Sequence, residues 1–121
     1  MPKEELTNNR PGNYSHWHRE RLPGWCFNTD GDWFEQRKKG DTLVVVAYIE
    51  TIQIPLNSLP DEYPVWDSKI NLAKEINDKM FIPCFFVWHY PDCSYFFIKR
   101  IGKDHYIMMK ENDYINFIKG L

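Results

Sequence analysis

Cysteine is scarce and unpaired in this chain: Cys26, Cys84 and Cys93 are an odd three with no C-x-x-C pair. Neither a disulfide framework nor a zinc knuckle is suggested, and buried free thiols are the expectation. Also missing is any apolar run approaching the roughly 20 residues that cross a bilayer, so no membrane partner is expected. The opening MPKEELTNNRPGN lacks the charged-then-apolar pattern of a secretory leader, which makes the cytoplasm the expected location. There is no glycine-rich phosphate loop, no G-x-S-x-G elbow and no H-E-x-x-H, so nucleotide hydrolases, serine esterases and zinc peptidases have no support. An excess of positive charge is absent as well. With 15 Lys and Arg against 17 Asp and Glu, the net charge is −2, and any hold on nucleic acid must come from a local patch.

What the chain does have is apolar and aromatic surface, at 43% and 17% of its residues. Its 121 residues fit one domain, and that much apolar surface offsets the entropy of ordering them. Residues 1–13 are polar and carry Pro2, Asn8, Asn9, Pro11 and Gly12, the composition of a flexible tail, so the domain is expected to span 14–121. Residues 14–22 suit a short helix stopped by Pro23 and Gly24. Residues 32–36 and 43–54 then read as a hairpin, with Gly31 and Gly40 in turns. The β-branched run at 43–49 predicts a strand covered on both faces.

After Pro55, Pro60 and Pro64, a helix fits 66–80 because Trp66, Ile70, Ala73, Ile76 or Asn77, and Met80 share one helical face. Strands are expected at 84–88, 95–98 and 106–108, and Tyr114, Ile115, Ile118 and Leu121 match a terminal amphipathic helix. A helix between two apolar strands implies that 43–54 lies parallel to 84–88. The fold class is therefore α/β, a mixed sheet flanked by helices.

The residues that carry chemistry sit on the hairpin. Asp32 opens one arm and Glu50 lies near the far end of the other, so antiparallel pairing brings two carboxylates to one edge. Glu50 interrupts an apolar run and shares a face with Tyr48 and Ile52. Buried and unpaired, such a charge costs several kcal/mol; a cation held jointly with Asp32 removes that cost. Two hard oxygen ligands suit Mg²⁺ or Mn²⁺ and point to metal-assisted phosphodiester hydrolysis. The alternative is that Glu50 lies in solvent past the sheet edge or pairs with a lysine.

The aspartate-led hairpin, the apolar strand ending in Ile49-Glu50 and the helix leading into Ile82, Pro83 and residues 84–87 resemble the core of the PD-(D/E)XK nuclease superfamily. His16, Trp17, His18 and Arg19, then Leu22-Pro23, then the stretch from Thr29 through Asp30, Asp32 and Trp33 to Glu35 resemble small uncharacterised members with a W-H-R, T-D-x-D and I-E-x-K layout. The likeness runs from about Tyr14 to Ile98. It implies a restriction-endonuclease-like fold with Asp32, or alternatively Asp30, as the motif aspartate and Glu50 as the motif acid.

The departure is Ile52, which stands where those nucleases carry a lysine. Gln53 points to the opposite face unless the strand bulges. Lys69 or Lys74 could replace the missing charge from the following helix, as in the viral cap-snatching endonucleases of the same fold. Those enzymes also use an upstream histidine, which makes His18 a candidate third metal ligand. The resemblance thus implies a nuclease with Asp32, Glu50 and Lys69 as catalytic residues, or a domain that has lost its chemistry and keeps the fold for binding. The expected partner is nucleic acid, DNA first, with a homodimer as a further expectation.

Candidate contacts to nucleic acid are Arg19, whose planar fork suits a phosphate, Lys38 and Lys39 within Arg37-Lys38-Lys39, and Lys74. Lys99, Arg100 and Lys103 form a further basic group. His89 and His105 lack partner spacing and read as structural, and core packing is the expected role of most aromatics, with Trp33 and Trp66 the candidates for stacking.

Overall fold

Proline and glycine punctuate the chain where its elements end. The structure is a computed structural model that describes residues 13–28 and 34–121. Helix α1 (Asn13–Arg21) stops just before Pro23-Gly24, and β1 (Cys26–Asn28) follows. Strands β2 (Phe34–Lys39) and β3 (Thr42–Gln53) form the expected hairpin. Its two-residue turn opens on Gly40, whose φ of 62° a residue without a Cβ adopts at no steric cost.

Pro55 ends β3, and a connection with one 3₁₀ turn (Pro60–Glu62) leads to α2 (Asp67–Met80). Phe81 closes α2 in the left-handed conformation, its N–H donating to the Asn77 carbonyl, and Pro83 prevents continuation. The chain then runs through β4 (Cys84–His89), β5 (Tyr95–Arg100), β6 (Ile107–Lys110) and α3 (Glu111–Lys119).

Among the described residues six strands make one sheet, in the order β1-β2-β3-β4-β5-β6. Of these only β3 and β4 are parallel, with Glu50 opposite Phe86, as a helix between two apolar strands requires. This is a single-domain α/β fold with a mixed sheet. Among the described residues, no helix is long and apolar enough to cross a membrane.

Each sheet face has its own core. On one, Ala47, Ile49, Phe85, Val87, Phe96 and Ile98 pack against Tyr14 and Trp17 of α1 and Tyr114 and Ile118 of α3. Phe96 and Tyr114 stack with ring centroids 4.0 Å apart. On the other face, Tyr48, Phe86, Trp88 and Phe97 pack under Ala73 of α2, with Ile70 and Ile76 beside it. The alternation along β3 is thus direct: Ala47 and Ile49 enter the first core, Tyr48 and Ile52 the second.

Two packing expectations need correction. The strand from 43 is not covered on both faces throughout: Leu43 is 51% exposed, Val44 is exposed too, and burial starts only at Ala47. The reason is register, because β4 joins β3 only from Tyr48 onward. On α2 the buried line is Ala73 with Ile70 and Ile76 beside it, whereas Trp66 is 76% exposed and Met80 also faces solvent. Trp66 has extended backbone at the helix N-cap, so it does not share the helical face. The expected tail lies outside the described residues except Asn13, which starts α1.

Candidate functional site

Glu50 is buried on the α2 face of the sheet, near the end of β3. Its two oxygens are held separately. The Tyr48 hydroxyl, two residues back on the same face, donates to Oε1 at 2.8 Å. The Lys69 ammonium reaches down from the first turns of α2 and donates to Oε2 at 3.0 Å. A cation and a hydroxyl therefore offset the cost of burying this carboxylate. The Lys69 side chain is 49% exposed, so this pair opens to solvent on the lysine side. Burial, then the hydrogen bond to the Glu50 carboxylate, hold the Tyr48 hydroxyl well above the ordinary tyrosine range, and Tyr48 stays a donor.

Of the two lysines offered by sequence, Lys69 contacts Glu50, and Lys74, one turn further along α2, lines an adjacent cleft. Ile52 is half-buried on the same face as Glu50, opposite Trp88, and supplies only packing. Gln53 is exposed. Asp32 and the alternative Asp30 lie outside the described residues, as do Trp33 and the turn containing Gly31. The last described rung of the hairpin pairs Phe34 with Tyr48.

His18 is elsewhere. It is buried on the α1 face, where Nε2 donates to both oxygens of Glu35 at 2.9 Å. The same carboxylate accepts from Arg37 Nη1 at 2.7 Å. Arg37 also donates to the carbonyls of Gln36 and Ile118, which ties β2 to the end of α3. Expecting His18 in one coordination sphere with Glu50 is therefore corrected: the sheet separates them, and Glu35 takes the histidine. Arg37 likewise leaves the proposed basic run. It is 5% exposed and lies 5.7 Å from the Trp25 ring centroid, so only Lys38 and Lys39 of that run reach solvent.

The spacing Glu35-x-Arg37 signalled this network, since period two puts both side chains on one face of β2, but a strand so polar reads as an exposed edge. Arg19 is half-buried on α1, on the other side of the sheet from Lys74, so the basic candidates do not form one surface.

The remaining polar core is structural. His89 is fully buried beside Tyr14 and Phe96, with Nδ1 donating to the Tyr90 carbonyl, and burial pushes it down to about 4. All three thiols are free and buried, as expected. His105 is exposed and belongs to the cleft beside Lys74.

Among the described residues, no three His, Cys, Asp or Glu side chains gather as a metal site. The Glu50 carboxylate offers hard oxygens of the kind Mg²⁺ and Mn²⁺ prefer, but alone it does not make a coordination set. Fold and site together define a single-domain α/β protein with a buried, lysine-paired glutamate on one of its two parallel strands. No family model, curated protein or solved structure matches the chain.

Proposed function

We propose that this domain is a nuclease of the PD-(D/E)XK type whose catalytic lysine has moved from the strand to the following helix. The observation that carries the reading is Lys69 Nζ at 3.0 Å from Glu50 Oε2. This contact supports the reading by setting a cation beside Glu50, the residue read as the motif acid, although Ile52 stands at the usual lysine position. The element order supports the same reading: helix, antiparallel hairpin, helix, then a strand parallel to the one bearing the acid.

Glu50 and Asp32 would hold a Mg²⁺ or Mn²⁺ ion, which when bound supplies charge neutralisation and an activated water. Lys69 orients Glu50 through its hydrogen bond, and from its half-exposed position it can turn toward a phosphate as negative charge develops there. Tyr48 fixes the second carboxylate oxygen and thereby the plane of the group.

A second reading has its own support. Both Glu50 oxygens are already satisfied by protein donors, which fits a degenerate nuclease domain that binds nucleic acid or a protein without cleaving. Cleavage assays with Mn²⁺ on duplex DNA, single-stranded DNA and RNA separate the two. Activity is expected to fall by about 10²–10³ in Lys69→Met, the scale for loss of a transition-state charge donor, and to vanish in Glu50→Ala. Cleavage that survives both Asp32→Ala and Glu50→Ala refutes the nuclease. Calorimetry that detects no Mn²⁺ binding favours the second reading.

A further inference from the structure

On the face that carries Glu50, a cleft of about 750 Å³ opens between the Pro60–Glu62 turn, α2 and the loop at 101–106 that joins β5 to β6. Its volume is in the range of small-ligand sites. Phe86 and Trp88 of β4 line it, and the Trp88 indole N–H donates to the Tyr63 carbonyl at 2.9 Å, pinning the proline-rich connection beside the sheet. Val65, Ile70 and the half-buried Tyr106 give it apolar walls.

The charge is arranged along the edge. Lys74 comes from α2, Lys99 from β5 and Lys103 from the loop. Arg100 is different, because its guanidinium lies over Phe85, which belongs to the opposite core. Two acids, Asp61 and Asp104, also border the cleft. In a chain of net charge −2, three lysines converging from three elements on one cavity are a local excess.

Register links this cleft to the candidate site. Glu50, Phe86 and Lys99 stand opposite one another across β3, β4 and β5, so Lys99 is two strand spacings, roughly 10 Å, from Glu50. A strand held at the lysines would therefore run toward the Glu50 carboxylate.

We propose that the cleft is a nucleotide subsite for single-stranded nucleic acid, with phosphate on Lys74, Lys99 and Lys103 and a base against Tyr106 and the apolar wall. The proposal takes its partner from the nucleic-acid reading of Glu50. A duplex hides the faces of its bases, whereas a single strand can lay one on an aromatic ring. Asp61 and Asp104 disfavour a featureless polyanion and can accept from an N–H donor of a base, the ring imide of thymine included.

The test is fluorescence anisotropy in EDTA with a fluorescein-labelled oligothymidylate of about eight nucleotides, within the usual site sizes, so that binding is read without cleavage. The single strand should bind at least tenfold more tightly than a duplex of equal length. Lys74→Glu, Lys99→Glu and Lys103→Glu should each weaken it about tenfold and lower the salt slope by about 1. Tyr106→Ala should weaken it by roughly five- to a hundredfold, as for loss of one stacked base. Lys119→Glu, on α3 across the sheet, should leave binding unchanged, and thermal melts confirm that each variant is folded.

Equal binding of duplex and single strand, equally effective competition by inorganic polyphosphate, or unaltered affinity in the folded lysine variants overturns the subsite. Tight strand binding without Mn²⁺-dependent cleavage supports the subsite and removes only the hydrolytic reading. Normal cleavage in all three charge-reversed variants removes the subsite and leaves Glu50 untouched.

Discussion

Replacing Glu35 by Gln should destabilise this protein more than any comparable surface change. The carboxylate is fully buried and accepts from His18 at 2.9 Å and from Arg37 at 2.7 Å, and Arg37 itself is 5% exposed. Glu35→Gln keeps the shape and removes the charge, leaving the guanidinium buried without a counter-ion. Breaking a buried pair on one side costs about 3–5 kcal/mol, a large part of the roughly 5–15 kcal/mol that holds a domain together. For a chain of this size, at about 4 °C per kcal/mol, Tm should fall by about 12–20 °C.

Circular dichroism melts and urea titrations of the single and double variants measure it. In Glu35→Leu with Arg37→Met both charges go together, and more than half of the lost stability should return, because an apolar pair of similar volume can replace a buried ion pair. Recovery should be incomplete, since Arg37 also donates to the Gln36 and Ile118 carbonyls. A Glu35→Gln protein melting within about 3 °C of the parent would refute the argument, and so would a double variant no more stable than the single.

Acid should weaken the fold through His89. Its value in the folded chain is pushed down to about 4 from 6.5, so below pH 6.5 the unfolded chain binds the extra proton. Stability is full above pH 6.5 and falls on the order of 3 kcal/mol as the pH drops toward 4. His89→Gln should flatten that part of the profile, and an unchanged profile by urea titration at each pH would rule it out. Tyr48→Phe should cost about 1–3 kcal/mol by taking a donor from buried Glu50, and a loss below about 0.5 kcal/mol in the same titrations would mean that the hydroxyl is dispensable. Burial pushes Cys84 up to about 11 and Cys93 up to about 12. Neither should react with dithionitrobenzoate at pH 8 until guanidinium unfolds the chain, and rapid labelling of either in the folded protein would contradict this placement.

Strand and helix periods made most of the fold legible. The hairpin, the helix after the prolines and the parallel step from β3 to β4 all followed from local patterns, because a period of two or 3.6 is a property of neighbouring residues. The extent of burial did not follow. Leu43 and Val44 are as apolar as Ile49, yet only a register across strands decides where β4 begins to cover β3.

The sequence by itself determined that Glu50 interrupts an apolar strand on the same face as Tyr48 and that Ile52 cannot act in its support, while the resemblance offered Lys69 or Lys74 as a replacement. Tertiary structure alone decided that Lys69 makes the contact, that His18 and Arg37 turn to Glu35 across the sheet, and that lysines from three elements border one cleft. The reason is that a side chain's face follows from its own few neighbours, whereas its partner depends on how segments distant in the chain are packed against one another.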